Sequence, residues 1–344
     1  MNSIITPMPG EYRKRALVLF PGALGDFICF MPALARLGRS SRVDLFARTE
    51  FADLLSCEIT IRSIENYEIN RMFVRGGAND ERVEKFFASY DSVYSWMGSA
   101  VADFSSQLMS LTQGRAGLFP FRSFQGRMHQ CDYYLSCIEE SPKGAIPSVS
   151  LKPDAIAWCE EYWVQHAFSD KPVLALAPGS GAQEKNWPIS CFATIAQWWR
   201  NQTGGAVLVI IGPVEEERGG YDPLCRDSLP VRNLRLAQLA ALLSRCDLYL
   251  GNDSGITHLA ASVGAQTAAI FGPSDAFQWV PRGEKVMILT RNEECSPCAS
   301  PTMRSCSHRR CLTLIEPVAV IRELQRLPRL VSLTRGGAGI TVNP

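Results

Sequence analysis

The sequence has almost no charge of one sign to spare. Thirty-five Lys and Arg against 34 Asp and Glu leave a net charge of +1 over 344 residues. That balance gives no global electrostatic reason to bind nucleic acid or an anionic membrane. No run of about 18 apolar residues is free of breakers, so no membrane-spanning helix is expected. A G-x-G-x-x-G turn after the first strand is missing, as are a Walker A loop, an H-E-x-x-H pair and a G-x-S-x-G elbow. No D-x-D occurs, so the usual acidic pair for a divalent ion on a sugar nucleotide is absent. This favours chemistry without a catalytic metal.

What is present is ordinary for a folded chain. Hydrophobic residues make up 46% and charged residues 20%, which excludes a mainly disordered protein. At roughly 100–200 residues per domain, the length fits about two domains. Cysteine is the one excess: twelve residues, eight scattered singly and four gathered between Cys295 and Cys311. Arg13, Lys14 and Arg15 before an apolar segment, with Ala33-Leu34-Ala35 beyond it, imitate a secretory leader. Pro21 and Gly22 interrupt that segment and Asp26 charges its middle. The expected location is therefore cytoplasmic, with at most a peripheral contact at the inner membrane.

Apolar runs and helical periods alternate along the chain, the signature of parallel sheets covered by helices. Strands are expected at Ala16–Phe20, Arg42–Phe46, Ser92–Ser95, Val173–Ala177, Ala206–Ile211, Leu248–Leu250, Ala268–Phe271 and Val286–Thr290. Helices are expected from Asp26 to Leu37 and over Val101–Leu111, Ala155–Phe168, Ile189–Asn201, Leu236–Ser244, Gly255–Val263 and Pro317–Leu327. Residues 114–153 read as loop, and the Gly-rich tail from Thr334 as disordered. Two successive α/β halves suggest two doubly wound, Rossmann-like domains facing a cleft, with ligands at the carboxyl ends of the strands.

Three segments carry candidate chemistry. In Pro21–Leu34, Asp26 sits just past a strand beside Gly22 and Gly25, which allow close approach. It is either a helix cap or a general base for a hydroxyl. In Ala177–Pro188, Gly179, Ser180 and Gly181 can present N–H groups to an anion, and Lys185 adds a cation. The bland alternative is a surface loop with a solvated lysine. In Tyr249–Asp275, Asn252, Asp253 and Ser254 precede a helix from Gly255 whose free N–H groups suit a pyrophosphate. His258 lies one turn on from Ser254, on the same face. Between the last two segments, Glu217 or Glu216 follows another strand and can meet the hydroxyls of a ribose, or can simply be a solvated helix start.

These pieces in this order resemble glycosyltransferase family 9, the heptosyltransferases of lipopolysaccharide core assembly. The resemblance covers roughly Ala16 to Leu327. It rests on Gly25-Asp26, on Lys185-Trp187-Pro188, and on the stretch from Gly251 to Gly264 followed by Phe271–Asp275. It implies a GT-B fold, with the acceptor on the first domain and the nucleotide sugar on the second. It also implies inversion without a metal, with ADP-heptose as the usual donor and a glycan or lipid-linked acceptor. Asp26 then matches the base and Lys185 the cation at the donor phosphates. Ser254, Gly255 and His258 match the pyrophosphate-binding helix start, with Ser180, Gly181 and Asp253 beside it. Glu217 matches the ribose-binding glutamate, and Gly22 and Gly25 lie on the acceptor side. The chain departs from the family at Phe27-Ile28-Cys29, where many members carry a longer polar residue or histidine. Competing readings are a non-catalytic nucleotide- or glycan-binding relative, a protein-modifying heptosyltransferase, or a GT-B-like epimerase.

The domains are expected at 1–168 for the acceptor and 169–315 for the nucleotide sugar. A helix at 316–330 would pack back on the first domain, followed by a tail at 331–344. No cofactor is expected for catalysis. Cys295-x2-Cys298-x7-Cys306-x4-Cys311 has ligand-like spacing for a structural zinc or iron, with His308 able to replace one thiolate. Free thiols and disulfides are the alternatives.

Overall fold

The computed structural model describes residues 13–56, 58–123, 128–138, 144–291, 293–327 and 330. Two wholly parallel sheets form the frame. The first holds β1 (Lys14–Leu19), β2 (Ser41–Ala47), β3 (Ile59–Ser63), β4 (Ser92–Ser95) and β5 (Ala116–Leu118) in the order β3-β2-β1-β4-β5. The second holds β6 (Val173–Ala177), β7 (Ala206–Ile211), β8 (Leu229–Arg232), β9 (Leu248–Asn252), β10 (Thr267–Phe271) and β11 (Val286–Thr290) in the order β11-β10-β9-β6-β7-β8. All residues of β6, β9 and β10 are buried, as expected for parallel strands covered on both faces. In each sheet the chain order reverses beside the first strand, between β1 and β4 and between β6 and β9. Such reversal points open a crevice at the carboxyl ends of the strands. The two-domain GT-B architecture implied by the sequence is the one observed.

The leader-like segment is structural: β1 is central in its sheet, and the helix Leu24–Ser40 covers it. That helix begins at Leu24 with Ala23 as its cap, so Asp26 lies inside the first turn and is not the cap residue. Its apolar face carries Phe27, Ile28, Phe30 and Leu34, all essentially solvent-free. Phe20 stacks on Phe30 at 4.3 Å.

Several expectations need correction. The stretch read as loop contains β5 and the helix Gln130–Ser136. β5 is three residues long, too short for a pattern. The helix is short and is announced only by its His129 cap, which accepts from the Cys131 N–H at 3.1 Å. β8 carries Pro230, which reads as a breaker but is tolerated because β8 is an edge strand. The helix Pro153–Gln165, assigned to the first domain, packs on the second-domain helix Leu236–Arg245, so the boundary lies before it and not at 168. The helix Pro317–Leu324 does not return to the first domain. Its Val320 and Leu324 join the second-domain core with Phe192 and Trp199 of the helix Ile189–Thr203. The tail at 331–344 lies outside the described residues.

One apolar cluster runs through both domains and includes Phe27 and Ile28 on one side and Leu259 and Ala260 on the other. Polar ties reinforce it. Arg282 grips Asp132 with two bonds of 2.7 and 2.6 Å, and His129 Nε2 donates to the Val280 carbonyl at 2.7 Å.

Candidate active site

A cavity of about 530 Å³ opens between the domains. The first domain contributes Ala23, Gly25, Asp26 and Arg122 to its wall. The second contributes Lys185, Asp253, Ser254, Gly255 and His258. Segments far apart in sequence thus meet because both crevices face each other.

Asp26 is 8% exposed, and its Oδ1 has no hydrogen-bond partner. Gly22 makes this placement possible, because a Cβ there would lie 2.4 Å from the Phe20 ring and 2.8 Å from Asp26 Cβ. Burial raises the Asp26 carboxyl above its usual range, while Arg122, the Ala23 backbone and Lys185 pull it back down. A carboxylate made more basic by desolvation, yet held ionised by cations, is suited to accept a hydroxyl proton.

Across the cavity, Lys185 Nζ lies 2.7 Å from Asp253 Oδ2. The lysine is 29% exposed at its side chain and the aspartate 8%. Asp253 therefore aims the lysine rather than standing free for a ligand. The Lys185-Asn186-Trp187-Pro188 element divides its labour. Trp187 is 1% exposed and donates through Nε1 to the Ile315 carbonyl at 2.9 Å, anchoring the loop. Its backbone N–H donates to Asn252 Oδ1 at 2.9 Å, and Asn252 Nδ2 donates to the Pro178 carbonyl at 2.8 Å. Buried Asn252 thus ties the loop after β6 to the end of β9, a role the sequence reading missed.

Ser254 caps the helix Gly255–Ser262 without a side-chain capping bond. Its hydroxyl lies 3.1 Å from that of Thr257. The first turn therefore faces the cavity with its positive end. Gly25 and Gly255 mark one close approach of the two domains. A Cβ on Gly255 would lie 2.8 Å from Leu24 Cβ and 2.9 Å from the Gly25 nitrogen, and one on Gly25 would lie 3.3 Å from the His258 ring. His258 is 4% exposed, with Nδ1 3.7 Å from Cys29 Sγ. Burial pulls it down to about 4, with only Asp253 opposing, so it is neutral at pH 7.

Two expected donor contacts are displaced. Ser180 does not line the cavity; its Oγ lies 2.7 Å from the Ala182 carbonyl and 2.6 Å from the Asn186 side-chain amide, shaping the loop. Gly181 does line the cavity. Glu217 is exposed and outside the cavity wall, and Glu216 pairs with Arg232 at 3.3 Å. The inward acid on the helix Pro213–Arg218 is Glu215, which accepts from the Gly212 N–H at 3.0 Å. It fills the space that a side chain on Gly179 would need. A helix turns one residue in three or four inward, and Pro213 at its start sets that residue as Glu215.

The cysteine loop borders the same cavity through Pro297, Cys298, Ala299 and Met303. The Cys298 N–H donates to the Pro273 carbonyl at 2.8 Å. Cys311 is pushed up to about 11 by burial and by the neighbouring Cys298, Cys295 and Cys306 sulfurs. The four thiols are therefore near one another and are free. Among the described residues, however, no three His, Cys, Asp or Glu side chains converge to hold a metal ion. As placed, the quartet does not fit a closed four-ligand site.

Comparison with known proteins agrees with this geometry. Residues 145–307 match the model of glycosyltransferase family 9 (heptosyltransferase). These residues, just under half of the chain, are similar to that family. Lipooligosaccharide heptosyltransferase 2 of Campylobacter jejuni is 30% identical over 165 residues, which cover 46% of this chain and 51% of that protein. The chain thus spans about half the length of such curated relatives. Structural likeness extends further. A family 9 glycosyl transferase from Veillonella parvula superposes with a TM-score of 0.73 at 20% identity, covering 93% of this chain and 98% of that one. E. coli ADP-heptose lps heptosyltransferase II superposes at 0.67 with 18% identity, covering 92% and 99%. The matched residues include Lys185, Asp253, Ser254, Gly255 and His258. Asp26 and Arg122 lie outside the matched residues and inside the shared fold.

Proposed function

We propose that the protein transfers a sugar from a nucleotide diphosphate to a hydroxyl of a glycan acceptor. The donor is ADP-heptose, the acceptor is of the lipopolysaccharide core type, and transfer inverts the anomeric centre without a catalytic metal. One observation carries the reading: a single cavity sets a buried carboxylate on the first domain opposite a lysine and a helix N-terminus on the second. Asp26 accepts the proton as the acceptor oxygen attacks the anomeric carbon. The bond to the diphosphate breaks on the opposite face. Lys185 and the first turn of Gly255–Ser262 hold the growing charge on the leaving group. Neutral His258 can donate one N–H there without adding charge.

Acceptor-dependent release of nucleotide diphosphate, measured across ADP-, GDP- and UDP-sugars, tests this reading. Release with ADP-heptose and a glycan acceptor is expected. Absence of release with every donor makes the protein a non-catalytic relative, and acceptor-independent conversion of the donor makes it an epimerase. A cytoplasmic site of action, with peripheral membrane contact through a lipid-linked acceptor, belongs to the same proposal. A structural zinc or iron at Cys295, Cys298, Cys306 and Cys311 is a separate reading, which the quartet as placed does not fit. Elemental analysis of protein purified without added metal checks it; less than about 0.2 equivalents sinks the site, since a closed site retains its ion.

A further inference from the structure

Arg122 spans the cleft. It follows β5 in the first domain, and its Nη2 lies 3.6 Å from Asp26 Oδ1. On its other side the guanidinium carbon stands 4.9 Å from the centre of the Trp279 ring, in the second domain. Phe121 lies beneath it at 5.5 Å. All three of Asp26, Arg122 and Trp279 line the cavity. At 3.6 Å the contact is electrostatic and leaves Oδ1 buried without a hydrogen bond, its charge met by the guanidinium alone. A planar guanidinium stacks on an aromatic ring as an ammonium cannot, so the ring fixes the charge in place.

We propose that Arg122, held against the Trp279 ring across the cleft, is a positioning residue that keeps Asp26 ionised and turned into the cavity, so that the base is set only when the two domains are together. The proposal rests on Asp26 being the base of the proposed transfer. Without a cation, a carboxylate whose side chain is 10% exposed binds its proton more tightly. Burial does push Asp26 up, and Arg122 is the largest opposing influence, ahead of the Ala23 backbone and Lys185. The other titratable groups facing Asp26 are the Cys29 thiol on its own helix and the Tyr134 hydroxyl on Gln130–Ser136, both raised by their surroundings and neutral. His258, on the helix packed against this turn, is also neutral. Lys185, on the second domain, is already paired with Asp253, which leaves Arg122 as the nearer cation, tied to the second domain through Trp279.

The test is the pH profile of kcat/KM for diphosphate release, paired with a carboxyl-carbon NMR titration of Asp26 in the intact protein, assigned with Asp26→Asn. In Arg122→Gln, the acid limb and the Asp26 titration should both move to higher pH. The expected loss at the acid end is about fivefold, recovered at the alkaline end. Arg122→Lys keeps the charge but cannot stack on Trp279, so it should recover only part of the loss. Trp279→Leu should move the limb in the same direction by less. Since Arg122 is 54% exposed at its side chain, added salt should narrow the gap between wild type and Arg122→Gln. A uniform loss of kcat with an unmoved limb and an unmoved titration overturns the proposal, and an unmoved limb in Trp279→Leu overturns the link to the second domain. If the wild type transfers no sugar, the functional reading fails, while the Asp26 titration still decides this proposal.

Discussion

Asp26 shows how far a single residue can be read. Its type and its place after a strand and two glycines were legible, because a turn that brings a carboxylate close to a ligand needs those glycines. What pattern could not supply was its burial, its third-residue position in the helix, or Arg122 beside it. That partner lies almost a hundred positions away, in a stretch without periodicity. Lys185 and Gly255 were equally legible, since a cation and a helix start are local features. Glu217 was not: in Glu215-Glu216-Glu217, composition cannot tell which acid turns inward, and only the helix phase set by Pro213 decides. Asp26→Asn keeps the shape and removes the basic oxygen. It should lower kcat/KM for diphosphate release by roughly 10²–10⁴-fold with little change in donor binding by calorimetry. Full activity in this variant would remove Asp26 from the mechanism.

At the level of elements, strongly patterned strands such as β6, β7 and β10 were plain because buried parallel strands are apolar throughout. β3, β5 and β8 were not, being short or lying at a sheet edge where one face stays wet. The crossing of Leu24–Ser40 over Gly255–Ser262 was also beyond pattern, since nothing local marks which glycine faces which. It yields a paired prediction. In Gly255→Ala the new methyl meets backbone at Gly25, which cannot swing aside. It should cost about 1–3 kcal/mol, read as a lower urea midpoint, and should weaken donor binding as well. Gly38→Ala, on the same first-domain helix, meets nothing within 4 Å. It should raise stability by about 0.5–1 kcal/mol and leave binding alone. Equal effects of the two would show that the crossing is not tight.

For the molecule as a whole, the two-domain plan followed from alternation along the chain, but the boundary and the berth of the last helix did not. Both depend on which sheet offers an uncovered apolar face. The interface between domains also sets a dependence on pH. His258 is held near pKa 4 when folded, against 6.5 in an open chain. Below pH 6.5 the unfolded state therefore binds the proton first, and stability is lost as pH falls from 6.5 toward 4, by roughly 3 kcal/mol at most. Asp26 works in the opposite sense, because its raised carboxyl favours the protonated folded form at acid pH. Urea midpoints across this range should fall with acid in the wild type and flatten in His258→Gln. An unchanged slope would show that His258 is not the group responsible.

The contact of Gly25 with Gly255 has a mechanical consequence. It stands beside Asp26 on one domain and at the anion-facing turn of the other. Any rotation of the domains about this contact displaces each atom in proportion to its distance from it. The carboxylate and the helix start, beside the contact, then barely separate, whereas Trp279 lies next to Val280, whose carbonyl is held by His129 of the first domain. The two glycines act as a fulcrum set next to the chemistry, so that a small change of domain angle leaves the reacting centre in register.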